Sequence, residues 1–343
     1  MTAAILRDPL RVPSNWRGCE LVDSDAWIHR LTREEVADLE SALAAAKATG
    51  KPMNALTRED FPLGALARPL AAWLQELAFG RGFLNVKGIP VERHSDDDAI
   101  WMLWGLGLHM GIAVSQNAAG DLLGHVRDTG ADARDPNVRL YKTNAELAFH
   151  SDGADVVALL CLRQGKSGGE NKFVSTTALY AELCRRRPDL IELLYQPFYF
   201  DSHGQQSKGQ KPYFKLPICH YDGKRLSFFH LPWYIRNAQR HPEVPRLTAD
   251  QHALLDLIDE VADDPALHLA MRLEPGEINL LKNNTALHAR TAYVDWDEEK
   301  MKRHLLRLWL TPHEDGATAH PGTSRGIPAK PGVRSDAETI ADS

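Results

Sequence analysis

His150, Ser151 and Asp152 put the most chemistry into the least space in this 343-residue chain. On an extended strand residues i and i+2 point to the same side, so one imidazole and one carboxylate can face one ion. A third ligand must come from elsewhere, and His288, in NNTALHARTAYVD between two strand-like segments, is the best placed. Two imidazoles and one carboxylate on one face leave three positions of an octahedral iron(II) open. An HxD pair alone is a weak signal in a chain with fifteen histidines; the surrounding pattern strengthens it. Thr177 offers a hydroxyl able to hydrogen-bond a carboxylate. Arg303 and Arg307, in KRHLLRLWL, occupy strand positions i and i+4 and face the same way. Arginine suits a bound carboxylate because its planar fork binds both oxygens and stays protonated. Either arginine could instead pair at the surface with Asp295, Asp297, Glu298 or Glu299. The flanking Leu305, Leu306, Leu308 and Trp309 place at least one of them inward, where an unpaired charge is costly and an anionic partner is favoured.

Other chemistries lack their residues. No GxSxG, HExxH or GxxxxGK[ST] occurs, so neither a nucleophile elbow, a zincin helix nor a phosphate loop is expected. Forty Lys and Arg against 46 Asp and Glu leave a formal charge of −6, no basic field for a phosphate backbone, so nucleic acid is not an expected partner. Cys19, Cys161, Cys184 and Cys219 lie far apart without a CxxC pair and read as reduced, mostly buried thiols. The opening MTAAILRDPLRVPSNW has no apolar h-region, and no stretch approaches the roughly 18 apolar residues needed to span a bilayer. A cytoplasmic location away from the membrane is the expectation.

The elements that must hold these residues are legible as changes of period. Thr32 and Glu35 form a capping box for a helix over 32–48, and Leu66, Leu70, Trp73, Leu74 and Leu77 make a stripe over 66–79. GFLNVKGIPV reads as a short strand, and a Trp-rich helix follows in DDDAIWMLWGLGLHMG. Residues 120–137 lack periodicity and read as a surface loop that could move over a site. Strands are expected at 155–163, 171–175, 225–231, 277–283 and 304–310, with helices at about 175–196 and 248–263. The architecture is therefore mainly β with flanking helices, suited to a double-stranded β-helix (jelly-roll) core. One domain is expected, with 1–80 a helical scaffold, 81–325 the core, and 326–343 a flexible, Gly- and Pro-rich tail. Gln116 and Asn117 after the Trp-rich helix, Asn144 just before the metal strand, and Tyr213, Phe229 and Trp233 further along are candidates for lining a substrate pocket.

Three blocks, FHSDGADVVALLCLRQGKSGGENKFVSTTALY, LEPGEINLLKNNTALHARTAY and KRHLLRLWLTP, together with GFLNVKGIPV, resemble the taurine dioxygenase-like (TauD/TfdA, clavaminate-synthase-like) family of iron(II)/2-oxoglutarate oxygenases over about residues 80–325. The resemblance implies a jelly roll in which His150, Asp152 and His288 match the iron ligands and Thr177 with Arg303 the 2-oxoglutarate anchor. Arg307 is similar to a second arginine that in some members meets an anionic group of the substrate; the roles of Arg303 and Arg307 could be exchanged. It implies oxidation, above all hydroxylation, of a C–H bond of a small molecule, with 2-oxoglutarate and dioxygen as cosubstrates and succinate and carbon dioxide as products. Asp152 speaks against halogen transfer, for which related enzymes replace the carboxylate ligand with a small residue. The alternative is a cupin-like metal- and 2-oxoglutarate-binding protein without turnover. Oligomeric state and substrate identity have no signal in the chain.

Overall fold

The computed structural model describes residues 5–135, 137–313, 320, 321, 323, 325–330 and 333. Its major sheet contains β1 (Ile28–Arg30), β2 (Phe83–Lys87), β3 (Gly111–Ala113), β4 (Leu123–Val126), β6 (Val156–Arg163), β11 (Glu277–Lys282) and β13 (His304–Pro312), in the order β1-β2-β11-β6-β13-β3 with β4 also on β13. The facing sheet runs β10 (His268–Met271), β7 (Asn171–Ser175), β12 (Ala286–Arg290), β5 (Leu147–His150). A hairpin of β8 (Pro197–Asp201) and β9 (Tyr213–Pro217) stands beside them.

Alternation along β6 and β13 decides what lies inside. Val156, Ala158, Leu160 and Leu162, with Leu306, Leu308 and Leu310, turn outward onto α1 (Arg33–Ala48), α2 (Ala67–Phe79) and α3 (Asp96–Met110). Val157, Leu159, Cys161, Leu305 and Trp309 turn inward against Phe173 and Ala286 of the facing sheet. Arg303 and Arg307 follow the inward parity and are buried. Burying both faces explains why these strands read as unbroken apolar runs. Helix α3 lies so close to β13 that a Cβ on Gly107 would collide with Leu308. Across the facing sheet, Val174, Leu287 and Ala289 pack against α4 (Thr176–Arg186) and α5 (Ala249–Ala262). Two sheets enclosing one inner layer, with helices outside, form the double-stranded β-helix.

Two expectations need correcting, and a third segment is described only in part. The helix expected over 175–196 ends at Arg186, because Pro188 cannot continue it, and a 3-10 turn follows over Pro188–Tyr195. The loop expected at 120–137 contains β4, which pairs Gly124 with Arg307; four residues are too few to show a period. Of the tail expected to be flexible, Gly326, Ile327 and Lys330 donate backbone hydrogen bonds to Gly153, Ser115 and Ala118; 331, 332 and 334–343 lie outside the described residues. No helix among the described residues is long and apolar enough to cross a membrane.

Burial also sets a pH dependence. His150, His288, His304 and His320 are buried, and desolvation is the main cause holding their imidazoles below the usual value, His150 down to about 3 and His320 to about 4. The unfolded chain takes up these protons near pH 6.5, whereas the folded chain does so only at lower pH. Stability is therefore complete above about 6.5 and is lost as pH falls, at up to about 1.4 kcal/mol per pH unit for each such histidine. The urea midpoint of the metal-stripped protein is expected to drop between pH 7 and 5, a window above the titration of ordinary carboxylates. A flat or rising midpoint across that window would contradict the assignment.

Candidate metal centre

Strand β12 pairs with β5 so that His288 lies opposite His150, their ring centroids 4.2 Å apart. Asp152, two residues beyond His150, completes a group whose three ligand atoms all lie within 4.8 Å of one another. His150 Nε2 is 3.9 Å from Asp152 Oδ1, and His288 Nε2 is 3.7 Å from Oδ2. The turn after β5 is fixed from two sides. Asp152 N donates to Asn283 Oδ1 at 2.9 Å, and Ser151 N donates to the His230 carbonyl at 2.8 Å. His150 Nδ1 sits 2.9 Å from the Ala148 carbonyl, the contact of a donating N–H, which leaves Nε2 as the lone-pair nitrogen facing Asp152.

Burial opposes ionisation of Asp152, but the surrounding charge, that of Arg307 above all, outweighs burial and holds the carboxyl below the usual carboxylate range. Burial keeps both imidazoles neutral at pH 7. Two neutral imidazoles and one carboxylate converging on one point fit a divalent first-row metal, iron(II) included. Arg307 Nη1 donates to Asp152 at 3.2 and 3.3 Å, and Trp309 Nε1 donates to Oδ2 at 2.9 Å.

A second cluster lies along the same inner face. Arg303 and Arg290 both stack on Tyr293, their guanidinium carbons 5.0 and 4.8 Å from the ring centroid. Nε and Nη1 of each have no hydrogen-bond partner among the described residues, although both side chains are buried. Burial pushes Arg290 down to about 10, with Arg303 adding to the effect, and lowers Arg303 as well. Gly169, at φ +75°, makes room: a Cβ there would lie 3.0 Å from Arg303 Nε. Asn171 pairs with Arg290 across β7 and β12 and therefore shares its face, and its Nδ2 is buried without a partner among the described residues. Donors of this kind, with no carboxylate taking them up, fit an anion such as the distal carboxylate of 2-oxoglutarate.

Thr177, expected beside Arg303, is not brought there. It sits in the first turn of α4 with Oγ1 3.4 Å from Ser14 Oγ. The length of β7, about 13 Å at roughly 3.3 Å per residue, separates it from the Asn171 end. Gln116 is buried behind the cavity wall: Oε1 accepts from Arg307 Nε at 2.8 Å, and Nε2 donates to the carbonyls of Arg307 and Leu122. Asn144 is exposed and contributes its backbone carbonyl to Tyr293 N. Asn171, Arg290, Asn283 and Trp309 were missed. The i, i+2 rule that joins His150 to Asp152 also joins His288 to Arg290 and Arg307 to Trp309, so the signal was there.

Beside the triad opens a cavity of about 520 Å³, whose walls include His150, Asp152, Arg307, Trp309, Trp233 and Tyr234. Tyr213 and Phe229 also line it; Arg303 and Arg290 do not. Arg307 is held between Tyr141 and Trp309, 4.7 and 4.8 Å from their rings. Its Nη2 has no partner among the described residues.

Comparison with known proteins bears on the family and the fold. Residues 47–309 match the family described as "Taurine catabolism dioxygenase TauD, TfdA family". The chain is 32% identical over 318 residues to FR-33289 synthase of Streptomyces rubellomurinus, covering 89% of this chain and 91% of that one. It is 28% identical over 326 residues to the taurine hydroxylase-like protein SAT17 of Stachybotrys chartarum, covering 91% and 82%. Asparagine oxygenase in complex with Fe(II), hydroxyasparagine and succinate superposes with a TM-score of 0.67 at 16% identity, covering 89% of this chain and all of that one. That structural likeness shows the fold, and the family match favours turnover over the non-catalytic alternative. The chain belongs to the TauD/TfdA family of iron(II)- and 2-oxoglutarate-dependent oxygenases.

Proposed function

We propose that His150, Asp152 and His288 hold the iron, that Arg303 with Arg290 and Asn171 anchors 2-oxoglutarate, and that the adjoining cavity takes a small molecule with an anionic group near Arg307. The observation that carries this reading is the pairing of a convergent donor set with two buried guanidinium groups that have open donors. Iron(II), when bound, supplies the redox chemistry that couples oxidation of a substrate C–H bond to an alcohol with conversion of 2-oxoglutarate and dioxygen to succinate and carbon dioxide.

The chain's own residues contribute position and exclusion of water. Arg303 meets the distal carboxylate with a two-pronged fork, which fixes the direction in which the keto acid end points. Phe173, Leu159 and Leu305, all in the inner apolar layer, keep water away from that face. On the cavity side Arg307 already gives Nη1 to Asp152 and Nε to Gln116, so only Nη2 remains for a ligand. An anion there is placed against the triad and is held by a charge that cannot rotate away. Trp233, 5.1 Å from the His150 ring, and Tyr234 form the opposite wall. With 520 Å³ available, the cavity suits a metabolite-sized ligand.

Anaerobic titration of iron(II) into the apoprotein with 2-oxoglutarate tests the centre. The weak visible charge-transfer band of the chelate is expected in the wild type and lost in Asp152→Ala; no band in the wild type overturns the assignment. The two arginines should separate in the same titration. Arg303→Ala is expected to raise the 2-oxoglutarate midpoint at least about thirtyfold, from the roughly 2 kcal/mol or more that breaking a buried charge pair costs. Arg307→Ala is expected to leave that midpoint within about threefold and to abolish the preference for anionic substrates in a screen scored by succinate release. The opposite pattern would exchange the two roles.

A further inference from the structure

Trp309 is 1% exposed, and its indole packs in the inner apolar layer, so shape alone could account for it. Its one polar atom does something shape does not require: Nε1 donates to Asp152 Oδ2 at 2.9 Å. Arg307 Nη1 reaches the same oxygen at 3.2 Å and Oδ1 at 3.3 Å. Oδ2 therefore carries two donors and Oδ1 only the longer arm of one. Resting on the reading that Asp152 is a ligand, we propose that Trp309 is a positioning residue that holds Asp152 to one-oxygen ligation through Oδ1.

The chemistry makes this matter. Two imidazoles and one carboxylate oxygen use three positions of an octahedral ion and leave three. A chelating keto acid takes two, and dioxygen needs the last. A carboxylate free to swing and bind through both oxygens would fill that last position. An N–H directed at Oδ2 prevents this, because a donor and a dication compete for the same lone pairs. The donor cannot drift: Trp309 is paired with Val157 in the β6–β13 ladder, and Gly153, directly after Asp152, leaves space for the indole, since a Cβ there would lie 3.2 Å from its ring. Arg307 alone is a poor substitute, because Nη1 straddles both oxygens at nearly equal distance and so does not choose between them. Groups behind metal ligands commonly orient them in this way.

The test compares wild type with Trp309→Phe and with a protein carrying 3-benzothienylalanine at 309, which keeps the bicyclic shape and lacks the N–H. Nitric oxide, a dioxygen surrogate, is titrated anaerobically into the iron(II)·2-oxoglutarate form and followed by its paramagnetic resonance signal, scaled to bound iron. Both variants are expected to keep the charge-transfer band of the chelate and to bind nitric oxide at least about tenfold more weakly per iron, by the closure of one position. A merely structural role would leave the nitric oxide affinity per iron unchanged, and that result in the benzothienyl protein overturns the proposal even if the Phe variant does not fold. Absence of the chelate band in the wild type would instead remove the iron-site reading beneath it, and this proposal with it.

Discussion

A carboxylate taken out of water must have positive charge or donors around it, because an isolated buried ion costs far more than a fold can spare. At Asp152 that requirement is met by Arg307 and Trp309 on one strand, while the neutral imidazoles of His150 and His288 face it from two others. Arg307 is a buried charge as well, and Gln116, Tyr141 and Trp309 hold it in turn. The chain of dependence therefore runs from the candidate metal point into the inner face of β13. That face must present Arg303, Arg307 and Trp309 while the outer face presents Leu306, Leu308 and Leu310. A slip of one residue against β6 would send the arginines into the helix layer and the leucines onto Asp152. The apolar pattern that drives folding and the charge pattern that drives chemistry thus fix the same register.

The same logic explains which parts of the site could be read from the chain. His150 and Asp152 are two residues apart, at and just beyond the end of β5, and Arg303 and Arg307 four apart, just before and within β13, so local period alone joins them. His288 was reachable because a single further ligand had to lie between later strands. Thr177 and Asn171 fit the requirement for a carboxylate partner equally well by residue type. The choice between them depends on which end of β7 abuts Arg303, and that is set by pairing with β12, a long-range register invisible in the local text. Gln116 illustrates a related limit: its position beside the site was legible, but its amide turns away from the cavity to serve Arg307. Asn144 lies on a segment leading into the metal strand, yet its side chain is exposed. Proximity in sequence to a ligand says little about the direction of a loop side chain. The four-residue β4 was missed because four residues give no measurable period, and its pairing depends on the neighbouring β13.

Two arginines four apart on one strand also divide the site into two sides. Arg303 faces a region enclosed by paired strands, with Arg290 and Asn171 from the facing sheet, whereas Arg307 looks into a cavity walled by connections. Strand pairing leaves little freedom, which suits an invariant cosubstrate. The cavity draws instead on the β8–β9 connection, on Leu231 to Tyr234 and on Gly326 to Pro328, segments whose length can change without moving a ladder. These loops nevertheless reach the centre. Gly326 N donates to the carbonyl of Gly153, and Arg325 pairs with Asp155 at 3.0 Å, so the late segment is fastened to the residues that follow Asp152. A change in that wall would pull on the backbone of the carboxylate ligand. Asn283 holding Asp152 N, and Trp309 with Arg307 holding its oxygens, resist such a pull from the opposite direction. The loop walls of the cavity can therefore be reshaped to a different ligand while the donor geometry stays put, since Arg307 and Trp309, which restrain Asp152, belong to β13 and not to those loops.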